Sequence, residues 1–164
     1  MPTVAVVQGQ CKGGGLELAA ACSWIFAGYD ASFGQPEIRL GVFPPMASLL
    51  LPWRLGAGRA LDLCVSGRSI DAAEAVRIGL VHAVAEEPLG AAMTFVTEHL
   101  LPCSASSLRF AERAVRMGLV ELMDERLPAL ERLYLDELME TPDANEGITA
   151  FLERRKPVFK GQVT

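Results

Sequence analysis

The stretch Val4-Ala5-Val6-Val7-Gln8-Gly9-Gln10-Cys11-Lys12-Gly13-Gly14-Gly15-Leu16-Glu17-Leu18-Ala19-Ala20-Ala21-Cys22-Ser23-Trp24-Ile25-Phe26-Ala27 decides the fold class. Val4 to Val7 is a continuous β-branched and apolar run after Pro2, the composition of a strand buried on both faces. Gly9 to Gly15 reads as a turn, Leu16 to Cys22 as a helix built of good helix formers, and Trp24 to Ala27 as a second strand. Strand, glycine turn, helix, strand is a βαβ-type alternation, so the expectation is an α/β protein with a mainly parallel sheet and helical crossovers.

Beyond this stretch, Gly28-Tyr29-Asp30-Ala31 turns the chain into a short Ser32-Phe33-Gly34 segment. From Pro45 onward the pattern predicts helices over Met46 to Leu55, Ala60 to Val65, Ala72 to Ile78, Leu89 to Leu101, Ser104 to Met117, Leu119 to Met139 and Ala144 to Arg155. Asp71 ahead of Ala72-Ala73-Glu74 is a capping residue with an acid three positions on, a helix-start signal with a mechanism. Leu127, Leu130, Leu133, Tyr134 and Leu138 recur at helical spacing and read as core or subunit contact. No repeat, low-complexity tract or linker divides the chain.

Composition narrows the function. Half of the residues are hydrophobic (51%), rich for 164 residues, and this predicts apolar surface covered by other subunits. The net charge is −5 and the basic residues gather only at Arg154, Arg155, Lys156 and Lys160, so no basic stripe is available to track phosphates and nucleic acid is not an expected partner. The apolar run Met46 to Leu51 is stopped by Pro52 and Arg54, well short of the roughly 20 residues a membrane span needs. Cys11, Cys22, Cys64 and Cys103 form no CxxC pair and read as reduced thiols of a cytoplasmic protein. His82 and His99 have no partner at ligand spacing, and no metal site is expected.

Three features could carry chemistry. Glu17 stands in an otherwise apolar helix, and burial disfavours the charged form of a carboxylate, which suits proton transfer near neutral pH. An acid on the one solvated stripe of a helix would have the same sequence. Gly13-Gly14-Gly15 sits where a strand hands over to a helix; glycines there bring free N–H groups close to a ligand, and a helix N-terminus stabilises an oxyanion. A tight turn would also be glycine-rich, while a dinucleotide loop fails on spacing. Glu37 lies in Phe33-Gly34-Gln35-Pro36-Glu37, with Gly41 and Pro44-Pro45 following, on a loop stiffened by proline.

Taken together, Gly13-Gly14-Gly15-Leu16-Glu17-Leu18-Ala19 and Phe33-Gly34-Gln35-Pro36-Glu37-Ile38-Arg39-Leu40-Gly41 closely resemble the signature region of the crotonase (enoyl-CoA hydratase/isomerase) family. The resemblance continues through Leu61 to Gly67, Ala72 to Val81 and Glu146 to Lys160, and so covers nearly the whole chain. It implies a crotonase-like (ClpP/crotonase) spiral of ββα units, with residues 1–56 as the C-terminal part of that core. Residues 57–164 would form a helical region for trimerisation and active-site closure. By the same resemblance the chain corresponds to the C-terminal part of a family member, truncated at the N-terminus. In the family, the loop that supplies a second oxyanion N–H lies ahead of the position of Pro2.

The resemblance implies an acyl-CoA hydratase that adds water to a conjugated enoyl- or cyclic dienoyl-CoA thioester. The thioester oxygen would accept from the Gly14 N–H, and Glu17 and Glu37 would share one water. Glu17 would help it attack the β-type carbon, and Glu37 would exchange the proton on the thioester side. Coenzyme A belongs to the substrate, and no further cofactor is implied. Gly41 to Ser48 departs from typical members, which carry glycines after the proline, and the bulkier residues of this segment, with Phe43, Pro45 and Met46 lining the pocket, should reshape the acyl site. Phe151 and Arg154 match positions near the adenine end of coenzyme A, often contributed by a neighbouring subunit, although Arg154 replaces a more usual lysine. Gly41 to Pro45 with Val7 to Gly15 is similar to the branch of the family acting on alicyclic thioesters in anaerobic aromatic degradation. A homotrimer or homohexamer is implied. The other readings are another family reaction, namely isomerisation, dehydration or ring hydrolysis, and a non-catalytic assembly module.

Overall fold

The computed structural model, which describes residues 1–161, contains two three-stranded sheets between which the chain alternates. Strand β1 (Val4–Val7) lies in the first sheet; Gly9, at φ 65°, turns the chain, and β2 (Gln10–Lys12) enters the second. Helix α1 (Gly14–Ala21) crosses back to β3 (Trp24–Ala27), which pairs in parallel with β1, Val4 opposite Trp24 through Val7 opposite Ala27. Then β4 (Ser32–Gly34) returns to the second sheet, parallel to β2 with Cys11 opposite Phe33. The repeating unit is therefore strand, strand, helix rather than the simple βαβ that the periodicity predicts. The missed strand is only three residues long and sits among glycines, where a single-strand pattern has no room to register.

The sheets also draw on later residues. After α2 (Ala47–Leu55) and α3 (Ala57–Ser66), which is closed by Gly67 at φ 61°, β5 (Ser69–Asp71) pairs antiparallel with β4. Helix α4 (Ala72–Arg77) starts where the sequence signals it, the Asp71 carboxylate accepting from the Glu74 N–H at 2.8 Å. β6 (Ala83–Val84) then adds to β3 in parallel. Strand β1 is thus an edge, its outer side unpaired within the described residues. Val6 is 39% exposed, so the expectation of burial on both faces does not hold for this strand.

Leu16, Ile25, Phe33, Leu51, Leu63, Ile70 and Leu80 are the large apolar side chains fully withdrawn from solvent, and they join the two sheets to α1, α2 and α3. Each such burial is worth about 1.5–3 kcal/mol, and truncating Phe33 to alanine should cost about 3–5 kcal/mol. His82 donates its backbone N–H to Ile25 at 2.8 Å, and its ring packs on Phe26 and Phe95.

The helical half departs from expectation at its joints. Helix α5 (Pro88–Phe95) continues as a π-helical turn over Val96–Leu100. The two helices expected on either side of Gly118 are one, α6 (Ala105–Arg132), because a glycine in a helix interior costs only about 0.5–1 kcal/mol relative to alanine, too little to break so long an element. A π-helical turn, Leu133–Glu137, and a 3-10 turn, Leu138–Glu140, follow. Helix α7 (Pro142–Leu152), whose Thr141 hydroxyl accepts from the Ala144 N–H at 3.3 Å, ends earlier than predicted, and Arg154 stands at φ 55°. Of α6 only Leu119 is buried, while Phe110, Val115, Met117 and Val120 remain exposed. No helix among the described residues is long and apolar enough to cross a membrane.

Candidate active site

Glu17 lies in the first turn of α1, and its backbone N–H donates to Gly13 O at 3.0 Å. Its carboxylate reaches across to α2, where Oε1 accepts from the Ala47 N–H at 2.8 Å. Met46, at the N-terminus of α2, offers no side-chain cap, so Glu17 takes that role from a distant element. The positive end of the α2 dipole favours the carboxylate there. Glu17 is half-buried, neither fully enclosed by its apolar neighbours nor on an open stripe.

Glu37 is carried by a 3-10 turn, Pro36–Leu40, that follows β4 directly. Proline opens the turn and Gly41, at φ 69°, closes it; the Val42 N–H donates to Glu37 O at 3.3 Å. The turn is braced from behind by α7: a methyl group on Gly147 would stand 1.9 Å from the carbonyl oxygen of Leu40. In front of it, Gly13 leaves the space the carboxylate occupies, since a Cβ there would lie 2.6 Å from Glu37 Oε1. Gly13 also adopts φ 56°, ψ −131°, which side chains disfavour. Its N–H donates to Gly34 O at 3.0 Å, tying the start of α1 to the strand that leads into Glu37.

Glu37 senses the charge of Glu17. Burial pushes Glu37 above the ordinary glutamate range; a hydrogen bond from its own backbone amide works the other way, and the charge of Glu17 adds to the rise. Cys64, half-buried on α3, is pushed to about 11 by burial and by both glutamates, Glu37 first, and so remains a protonated thiol beside them. Gln35, fully buried, completes the surroundings: with its amide nitrogen turned toward the acid it donates to Glu37 Oε2 at 3.0 Å and Oε1 at 3.3 Å.

Gly14 is the first residue of α1 and is exposed, with nothing within 4 Å of where a side chain would be. Amides in the first turn of a helix lack intrahelical partners, so this end of α1 offers donors to an anionic oxygen beside Glu17. Phe43 packs edge-on against Tyr134 at 5.3 Å between ring centres. Pro45 and Met46 are half-buried, and Met46 packs on the core at the start of α2. Phe151 and Arg154 stand apart at the end of α7, Phe151 62% exposed.

The structure therefore brings together Glu17, Glu37 and the N-terminus of α1, and leaves Phe151 and Arg154 on open surface. Sequence reasoning missed the α2 amide under Glu17, the thiol of Cys64 and the contact of Gly147 with Leu40. These depend on segments far apart in the chain, and nothing in local periodicity signals them. A cleft of about 330 Å³, lined by residues including Trp24, Trp53, Arg54, Glu112 and Arg116, lies elsewhere and includes neither glutamate.

A ββα spiral with two carboxylates converging beside a glycine-rich helix start defines a class of protein, and residues 1–162 match the family described as enoyl-CoA hydratase/isomerase. The chain belongs to that family. It is 56% identical over 155 residues to the cyclohexa-1,5-dienecarbonyl-CoA hydratase of Thauera aromatica, a match that covers 94% of this chain and 60% of that one. Among solved structures it resembles a carnitinyl-CoA hydratase from Mycobacterium avium (TM-score 0.87, 30% identity), covering 98% of this chain and 63% of the other. An enoyl-CoA hydratase from Mycobacterium avium subsp. paratuberculosis is similar at TM-score 0.81 and 34% identity, over 97% of this chain and 65% of the other. The chain thus spans less than two thirds of the length of these relatives.

Proposed function

We infer that this chain carries the acid/base part of an acyl-CoA hydratase that adds water to a conjugated, cyclic dienoyl-CoA thioester. The observation that carries the reading is the convergence of Glu17 and Glu37 from separate elements, with Glu37 pushed up by burial and by the charge of its partner. A carboxyl that keeps its proton above the usual range can deliver it to carbon, while a second carboxylate fixed by the Ala47 amide can take one from water.

In this reading a water sits between the two acids. Glu17 accepts its proton as the oxygen attacks the β-type carbon, and negative charge moves onto the thioester oxygen. The Gly14 N–H at the start of α1 stabilises that charge, together with a second donor from the part of the relatives' length that this chain does not span. Glu37 then gives its proton to the carbon next to the thioester, and the product leaves with coenzyme A still attached. The reaction needs no electron transfer, so a redox cofactor has no task in it.

Phe43, Pro45 and Met46 lead into the helix that Glu17 caps, which supports their lining the acyl side of the site. The likeness to the Thauera aromatica hydratase supports a cyclic dienoyl substrate, and the motif resemblance to the alicyclic branch of the family extends the proposal to a role in aromatic degradation. The exposure of Phe151 and Arg154 at the end of α7 supports a role for them toward coenzyme A bound at a neighbouring subunit of a trimer or hexamer.

The test is product analysis. A polypeptide that includes these residues and spans the relatives' full length is given cyclic dienoyl-CoA and linear enoyl-CoA thioesters in labelled water. Incorporation of water oxygen into a hydroxyacyl-CoA from the cyclic substrate is expected. Double-bond migration without oxygen uptake would mean isomerisation instead.

A further inference from the structure

We propose that Gln35 is a positioning residue, its buried amide holding the Glu37 carboxylate in the orientation that Gly13 leaves open; this rests on the acid/base reading of Glu37 above. Gln35 is a polar side chain at 0% exposure in an otherwise apolar interior. An amide so placed must find partners, because burying it unsatisfied is costly. A carbonyl oxygen facing a carboxylate would repel it, so the nitrogen is the atom that faces Glu37, and it reaches both oxygens, at 3.0 and 3.3 Å.

The backbone around Gln35 is pinned on both sides. Gly34, the last residue of β4, accepts from the Gly13 N–H at 3.0 Å, and Pro36 confines the preceding residue to extended conformations, here φ −120°, ψ 86°. The side chain therefore has little freedom to withdraw. Gly13 forms another wall, 2.6 Å from Glu37 Oε1 at the position a Cβ would take. The carboxylate is held between an amide that grips it and a glycine that makes room for it.

A neutral amide suits an acid that must cycle. Lysine or arginine at this position would hold Glu37 ionised, whereas an amide N–H donates to the carboxylate and still donates to the carbonyl oxygen of the protonated acid. The other titratable groups facing Glu37 are Glu17 on α1 and Cys64 on α3, and both disfavour its charged form or remain neutral beside it. Gln35 counters them without adding charge.

The experiment is a titration of the chain with glutamate side chains labelled at the carboxyl carbon. The Glu37 signal is identified by its loss in Glu37→Gln. In Gln35→Met, which keeps the volume and removes the donors, the Glu37 midpoint should shift upward, because a hydrogen bond that favoured the charged form has gone. The unaltered chain gives a second readout that does not depend on a variant folding: the side-chain amide protons of Gln35 should move with the same midpoint as Glu37. In a polypeptide of the relatives' full length, Gln35→Met should lower kcat and move the corresponding limb of its pH profile while leaving KM unchanged. An unmoved Glu37 midpoint in folded Gln35→Met, or Gln35 amide protons indifferent to the Glu37 titration, would overturn the proposal. The titration uses no substrate, so it fails or succeeds separately from the catalytic reading, which turnover by Glu37→Gln decides.

Discussion

Gly147→Ala probes whether the turn carrying Glu37 is set by the helix behind it. In α7 the added methyl would stand 1.9 Å from Leu40 O and 2.4 Å from its carbonyl carbon, both backbone atoms that no rotamer change can remove. Side-chain carbons do not approach within 3.0 Å, so helix and turn must separate by about 1 Å. Overpacking of this kind costs about 1–3 kcal/mol, which for a chain of this size lowers Tm by several degrees, about 2–4 °C per kcal/mol. Displacing a catalytic group by about 1 Å can cost about 10²-fold in rate. The control is Gly118→Ala in α6, where nothing lies within 4 Å of the new methyl. There the better helix propensity should stabilise by about 0.5–1 kcal/mol. Thermal unfolding of both variants, followed by circular dichroism, gives opposite signs if the reasoning holds. A Gly147→Ala chain at least as stable as Gly118→Ala would refute the bracing of the Glu37 turn by α7.

Further outcomes follow from the same contacts. Because the folded-state Glu37 is raised above its unfolded value, the folded chain holds more protons in that window, and stability should fall as pH rises from the ordinary glutamate range through the folded midpoint. Glu37→Gln should flatten that fall in denaturant titrations at stepped pH. Glu146 has the opposite sign: the Arg155 guanidinium first, then the Val158 N–H, hold it at about 2, so its contribution is present above the usual carboxylate range and is lost as pH drops toward 2. Glu146→Gln should blunt acid unfolding only at that lower end. Met46→Gly in a polypeptide of full length should lower the ratio of cyclic to linear substrate turnover, since a pocket discriminates by roughly 1–3 kcal/mol per methylene; an unchanged ratio removes Met46 from the acyl pocket. The side of β1 left unpaired among the described residues and the exposed Phe110, Val115, Met117 and Val120 of α6 should make the chain associate, and a monodisperse monomer in sedimentation at micromolar concentration would count against this.

How much was legible in the sequence depends on whether the signal is local. The strand Val4–Val7, the helix behind the three glycines and the Asp71 cap all declare themselves within a few residues, and they stand where periodicity and capping chemistry put them. The pairing of Glu17 with Glu37 was legible only through the likeness of two motifs to a family; the spacing of two acids in a sequence does not say that helix and turn converge. The second sheet was not legible as such. Its strands β2, β4 and β5 are three residues each, too short for alternation to show, and β5 joins from the far side of two helices. Gln35 was quoted within a motif and given no task, because a glutamine beside a proline reads as loop until its burial and the direction of its amide are known. The fit of Gly147 against Leu40 was invisible for the same reason: its partner lies more than a hundred residues away, and the sequence of α7 alone permits alanine there.

The central claim is that Glu17 and Glu37 act as one unit on a shared water. It is tested most directly by kcat for hydration of the cyclic dienoyl thioester in Glu17→Gln, Glu37→Gln and the double variant, each in a polypeptide of full length with folding verified. Gln preserves size and, at position 17, an oxygen able to accept from the Ala47 N–H, while removing the titratable proton. Either single change should lower kcat by about 10²–10⁴-fold, and the double variant should be little worse than the worse single one, because groups that act together lose their joint effect once. Near-normal kcat in Glu37→Gln, or losses that multiply in the double variant, would contradict the account.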